Sequence, residues 1–137
     1  MGGFATVRLL LDTHVLLWSV LAPDKLSPPA AAVLEDPANE LWLSPVTSWE
    51  ICLLAERGRI AIHSASPEEW LRGVLARVPV KEASLNHEVA LRSRTVDLEH
   101  QDPADRFIAA TALVYDLILL TTDERLLRSA HVRTMRV

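Results

Sequence analysis

Gln101-Asp102-Pro103-Ala104-Asp105-Arg106-Phe107-Ile108-Ala109-Ala110 sets two carboxylates three residues apart at the head of an apolar run. Asp102 has the chemistry of a helix N-cap, and Pro103 suits the first helical position, where its missing N–H costs nothing. Asp105 is then the third helical residue, on the same side of the first turn. Taken alone, the pair reads as a well-capped helix whose acids suit the positive end of its dipole. The helix is expected from Pro103 to Tyr115. Leu117–Leu120, fully apolar, follows as a strand that leads into Thr121-Thr122-Asp123 and a short helix. A helix that feeds a parallel strand runs antiparallel to it, so Asp102 and Asp105 belong at the edge where the strands' carboxyl ends lie.

Outward from that point the chain alternates. Val7–Leu11 is a buried strand ending at Asp12, and Thr13–Leu21 is a helix apolar on most faces that Pro23 ends. Ser27-Pro28-Pro29 starts a short helix through Glu35, and Glu40–Ser44 is a second strand. From Pro45 a helix runs to Arg57, with Val46, Trp49, Ile51, Leu53 and Leu54 as its apolar side and Gly58 as its stop. Ser66-Pro67-Glu68-Glu69 is a capping box opening a helix to about Arg77. Val78–Val80 is expected as a brief strand, Ser84 as the start of a helix through Arg94, and Val132–Val137 as an edge strand. Strands separated by helices define an α/β fold with a mainly parallel central sheet, here a single domain over residues 1–137.

Half of the residues are hydrophobic and 23% are charged, the balance of a globular chain. The net charge of −4 argues against a nucleic-acid coat protein, which carries a basic surplus. It leaves room for a nuclease whose metal-binding acids make up the deficit. Cys52 stands alone, so no disulfide framework or thiolate metal site is available, and a cytoplasmic setting is expected. No run reaches the length of a membrane span, and the N-terminus lacks the features of a signal peptide.

In parallel sheets ligands bind beyond the carboxyl ends of the strands. Asp12 and Asp123 follow two expected strands directly, Glu50 lies in the helix leaving a third, and Asp102 and Asp105 head a fourth element. Carboxylates gathered at close range repel unless a cation neutralises them, and an all-oxygen set suits Mg²⁺ or Mn²⁺ rather than zinc. Such ions activate water and clamp a phosphodiester in an in-line displacement. The hydroxyls of Thr13, Ser44, Thr47, Ser48, Thr121 and Thr122 border the acids, though at strand–helix junctions Ser and Thr are caps by default. Other chemistries fit worse. No phosphate-binding glycine loop is present, since the only glycines are Gly2, Gly3, Gly58 and Gly73. No G-x-S-x-G elbow occurs. The five histidines lack H-E-x-x-H spacing, and His14 stands where a haloacid-dehalogenase phosphatase would carry a second Asp. The tryptophans Trp18, Trp42, Trp49 and Trp70 read as core or interface, and the apolar faces around Leu17, Trp18 and Trp49 exceed what a small core needs.

Four motifs together carry a family resemblance: Leu10-Leu11-Asp12-Thr13-His14 with Leu16-Leu17-Trp18, Ser48-Trp49-Glu50-Ile51, His100-Gln101-Asp102-Pro103-Ala104-Asp105-Arg106, and Thr121-Thr122-Asp123. In that order and spacing they resemble the PIN-domain ribonucleases, in particular VapC-type toxins of toxin–antitoxin pairs. The resemblance spans nearly the whole chain. It implies a three-layer α/β/α fold and a Mg²⁺- or Mn²⁺-dependent endoribonuclease with Asp12, Glu50, Asp105 and Asp123 as catalytic and metal-binding acids. Asp102 would be an accessory acid. It further implies a homodimer acting on RNA and inhibited by a small antitoxin protein. Ala104 stands where related chains often carry Phe, and Gln101 where they often carry Arg, which bears on partner or substrate fit. The rival reading, from another class, is a weakly catalytic or non-catalytic interaction module acting mainly within an antitoxin complex. A DNA nuclease is disfavoured, because so short a chain has little room to grip a duplex.

Overall fold

A computed structural model describes residues 6–64 and 66–137. Five strands, β1 (Arg8–Leu11), β2 (Glu40–Leu43), β3 (Val80–Glu82), β4 (Ile118–Thr121) and β5 (Thr134–Arg136), form one sheet in the order β3-β2-β1-β4-β5, with every pair parallel. Leu9 sits opposite Leu41 on one side and Ile118 on the other. Among the described residues the α-helices are α1 (Thr13–Leu21), α2 (Pro28–Glu35), α3 (Pro45–Glu56), α4 (Pro67–Arg77), α5 (His87–Thr95), α6 (Pro103–Val114) and α7 (Glu124–Leu127).

The side-chain alternation of β1 divides the core. Leu9 and Leu11 join Val15, Leu16, Ile51, Leu71 and Val74, from α1, α3 and α4. Leu10 points to the other face, among Ile108, Ala109 and Ala112 of α6, Leu119 and Leu126. Helices thus cover both faces of the sheet, the three-layer arrangement expected. The Leu9, Leu10 and Leu11 side chains are at most 1% exposed. Truncating one of them to Ala would cost about 2–5 kcal/mol.

The caps are those the sequence promised. Asp102 Oδ1 accepts from Asp105 N at 3.2 Å, Ser66 Oγ from Glu69 N at 3.1 Å, and Ser27 Oγ from Ala30 N at 3.3 Å. Gly58 follows the C-cap of α3 with φ +69°, where a side chain would be strained. Elsewhere the chain departs from expectation. The third strand is Val80–Glu82, two residues later than Val78–Val80, because Val78 still caps α4. Ser84 does not open α5. Its hydroxyl donates to Glu82, and Asn86 caps the helix instead, Oδ1 accepting from Val89 N at 3.0 Å. A 3₁₀ turn at Pro23–Lys25 follows α1. Leu17 is 3% exposed and belongs to the core, so it offers no surface, and Trp18 is half-buried with Lys25 over its ring. Trp49, expected on the apolar side of α3, faces outward at 59% exposure. No helix among the described residues is long and apolar enough to cross a membrane.

Strand order places the site. From β1 the chain moves outward through β2 to β3, then returns to add β4 and β5 on the opposite side. The crevice between β1 and β4, at their carboxyl ends, is the switch point where such sheets bind ligands.

Candidate metal centre and its surroundings

Asp12 follows β1 at that crevice and N-caps α1, Oδ1 accepting from Thr13 N at 2.8 Å. Its own amide donates to Leu120 O at 3.0 Å, extending the β1–β4 ladder. Oδ2 accepts from the buried Thr121 hydroxyl at 2.6 Å, so the start of α1 fixes one carboxylate oxygen and β4 the other. Burial pushes the Asp12 carboxyl above its ordinary value against these hydrogen bonds, and the charge of Asp123 adds to the rise. Glu50, one and a half turns into α3, accepts a hydrogen bond from the Thr13 hydroxyl. Burial raises its pKa as well, with repulsion from Asp12 and Asp102 contributing.

Asp105 is raised too. Burial and the charges of Asp102, Asp123 and Asp12 push its pKa up to about 6, against a hydrogen bond from His100. His100 Nε2 lies 2.9 Å from Asp105 Oδ2. Asp123 caps α7, Oδ1 accepting from Arg125 N at 2.8 Å. Partial burial opposes its ionisation, but the Arg125 side chain and backbone outweigh that and hold the carboxyl below its ordinary value. The Arg125 guanidinium also spans the site, one NH₂ group lying 3.1 Å from Asp123 Oδ2 and 3.2 Å from Asp105 Oδ2. All five acids singled out from the sequence therefore share one electrostatic field.

The bordering hydroxyls divide. Thr13 and Thr121 serve Glu50 and Asp12. Ser44 caps α3, and with Ser48 it lines a separate groove beside Lys81 and Glu82. Thr47 Oγ1 is buried with no hydrogen-bond partner among the described residues.

Three residues of the site were not singled out from the sequence: His100, Arg106 and Arg125. Arg106 is 6% exposed and donates its five N–H groups to five backbone carbonyls. These are Ser93 at 2.9 Å, Leu98 at 3.1 Å, His100 at 3.2 Å, and Arg94 and Val96 at 3.3 Å. It closes the C-terminus of α5, where free carbonyls and the helix dipole favour a cation. It also fixes the backbone that presents His100 to Asp105. Adjacency to a candidate ligand was the available signal, but helical periodicity alone does not distinguish such an Arg from a solvated one.

The donor set is all oxygen, four carboxylates from four elements, and burial first, with mutual repulsion added, raises the pKa values of Asp12, Glu50 and Asp105. As the side chains stand, no three His, Cys, Asp or Glu residues among those described converge on a single point. Mg²⁺ does not require that. It keeps several waters and is usually held directly by one or two carboxylates, with others acting through water. Arg125 lies where positive charge is needed between Asp105 and Asp123. The residues fit a hydrated divalent ion that takes over part of that role.

A parallel α/β sheet with an acidic cluster at its switch point defines a class of candidate metal-dependent hydrolases. The particular family follows from likeness: residues 9–132 match the PIN domain family model. The chain is 34% identical over 131 residues to Ribonuclease VapC22 of Mycobacterium tuberculosis, covering 94% of this chain and 97% of that protein. The chain belongs to the PIN-domain family. Among solved structures it is similar to VapBC2 from Rickettsia felis bound to a promoter DNA fragment, with TM-score 0.71, 14% identity, and coverage of 96% of this chain and 99% of that one. It is also similar to DNA-bound VapBC from Salmonella typhimurium, with TM-score 0.66, 20% identity, and coverage of 96% and 98%. At these identities the two structures speak to the fold.

Proposed function

We propose that the chain is an endoribonuclease toxin dependent on Mg²⁺ or Mn²⁺ and restrained by a small antitoxin protein. The observation that carries the reading is the cluster of Asp12, Glu50, Asp105 and Asp123, delivered by four elements to one crevice in a chain related to a named ribonuclease. Asp12 and Asp105 would be the principal metal ligands, Glu50 and Asp123 further ligands or water-mediated supports, and Asp102 an accessory acid. When bound, the ion supplies an activated water and neutralises charge at the scissile phosphate. The chain's own residues do the rest. Thr121 and Thr13 N–H hold the Asp12 carboxylate in one orientation, and the Thr13 hydroxyl holds Glu50. His100 orients Asp105 through Oδ2, while Arg125 balances the charge of Asp105 and Asp123.

The antitoxin partner is carried over from the toxin–antitoxin complexes named among the structural neighbours. A homodimer is supported by the outward-facing Trp49 and by an apolar groove of about 300 Å³ that includes Val46, Trp49, Leu85, Pro103 and Phe107. We place the activity in the cytoplasm, consistent with the lone Cys52. Purified, partner-free chain should cleave RNA in Mg²⁺ or Mn²⁺, and chelator or Asp105→Asn should stop it. Folded wild-type chain that leaves a broad RNA pool intact with either metal would instead favour the non-catalytic module.

A further inference from the structure

Near Asp105 lies a groove of about 280 Å³ between the segment leading into α6 and α7 with the residues that follow it. Its walls include Asp97, Glu99, His100, Arg125, Arg128 and Ser129. We propose that this groove seats a backbone phosphate of the RNA beside the bond that is cut. The inference rests on the ribonuclease reading and names a contact that the acidic cluster cannot make.

Three observations carry it. The first is electrostatic. An RNA strand approaching Asp102, Asp105 and Asp123 on a chain of net charge −4 meets repulsion, and salt screens exposed charges within about 8 Å. Compensating cations must therefore sit near the acids. Arg125 does, in contact with Asp105 and Asp123, and Arg128, the C-cap of α7, lines the same groove. The second is availability. The Arg125 guanidinium is committed to Asp105 and Asp123, whereas that of Arg128 is exposed and makes no hydrogen bond or ion pair among the described residues. The third is rigidity. Arg106 ties down the carbonyls on both sides of Asp97, Leu126 roots α7 in the core, and the Ser129 hydroxyl joins the walls by donating to Asp97 O at 3.1 Å.

Size and charge narrow the occupant. The volume falls just below the roughly 300–1,000 Å³ of pockets that enclose a small ligand, which suits a phosphate with part of its sugar. Asp97 and Glu99 on the same walls disfavour a loosely held polyanion and confine the anion to the Arg128 side.

The test is an anisotropy titration of fluorescent single-stranded RNA of mixed sequence with the full chain. Ca²⁺ replaces Mg²⁺, and the RNA is checked on a gel for integrity. Arg128→Ala should weaken binding about five- to tenfold and flatten the slope of log K against log salt by about 0.7, one phosphate contact on a single strand. The loss should be equal on a second RNA of unrelated sequence. Arg128→Lys should retain most of the affinity, and Glu99→Gln should tighten binding about twofold. Arg57→Ala, at the far end of α3, should change nothing. Arg128→Ala binding within twofold of wild type with an unchanged slope would overturn the phosphate seat, as would a loss confined to one RNA or matched by Arg57→Ala. Wild-type chain that neither binds nor cleaves RNA would overturn the ribonuclease reading itself, an outcome visible before any variant is made.

Discussion

Asp105 and Arg106 are adjacent in sequence, and the fold treats their charges in opposite ways. Arg106 is buried with all five donors satisfied by backbone carbonyls and no carboxylate against it. Asp105 is half-buried among three other acids, with His100 and Arg125 as its side-chain partners, and its pKa rises to about 6. A buried charge whose hydrogen bonds are complete belongs to the architecture. One left in repulsion is a reservoir for a ligand of the opposite sign, and repelling acids at a strand-end crevice mark where the protein forgoes stability for function.

The largest effect should come from the acid side of this pair. Asp105→Asn should reduce RNA cleavage by at least about a thousandfold, on the order of 4 kcal/mol in the barrier, because the proposed centre loses a direct ligand. Its metal-free stability should nevertheless equal or exceed that of wild type, since one member of a repelling cluster is neutral. Calorimetric unfolding alongside a cleavage assay reads both. Asp105→Asn that keeps wild-type cleavage would remove Asp105 from the centre.

The cation side should behave in reverse. Arg106→Met would strand several buried carbonyls at the end of α5 and should destabilise the chain by at least about 3 kcal/mol, seen in denaturant unfolding. Arg106→Lys should recover only part of that, because an ammonium has three donors for five acceptors. A loss below about 1 kcal/mol in Arg106→Met would mean that water serves those carbonyls as well.

What could be read from the sequence follows the same division. Asp12, Glu50, Asp102, Asp105 and Asp123 announced themselves because each stands at a strand end, a cap or a helix start, positions that local chemistry marks. Arg106 did not, because its partners are carbonyls 6 to 13 residues back, at the end of α5 and in the loop after it, and their convergence is a tertiary fact. His100 precedes the helix that carries Asp105, outside any periodic pattern. Arg125 lies two residues past Asp123, and nothing in its local sequence marks the reach to Asp105. In the fold, β1 and β4 were legible because buried parallel strands read as apolar runs. The three-residue edge strand β3 was displaced by two because it has no period of its own and Val78 is claimed by the end of α4. Trp49 was assigned inward on hydrophobicity alone, and its exposure came only with the neighbours in place.

A smaller effect separates the acids by pH. The folded state holds a proton on Asp105 up to about pH 6, whereas the unfolded chain releases it near the ordinary value of 3.8. Folding therefore takes up a proton between these values, and metal-free stability should fall as pH rises through that window. Asp12 and Glu50, also raised, act in the same direction, whereas Asp123, lowered, acts in the opposite sense and only below 3.8. Metal-free wild type should melt higher at about pH 5 than at about pH 7.5, and Asp105→Asn should show a smaller difference. An equal difference in the two proteins would assign the dependence to other groups.

The smallest effect is expected at Asp102. Asn caps about as well as Asp, so Asp102→Asn should stay within roughly 0.5 kcal/mol of wild type and keep measurable cleavage. Loss of activity equal to that of Asp105→Asn would make Asp102 a direct ligand.

Isothermal titration of Mn²⁺ into metal-free, partner-free chain at neutral pH tests the central claim most directly, since it asks whether the repelling carboxylates await a cation. Wild type should bind Mn²⁺ with saturable heat and a rise in melting temperature, and Asp105→Asn should lose both while remaining folded. Absence of binding to folded wild type at millimolar Mn²⁺, or undiminished binding by Asp105→Asn, would contradict the account.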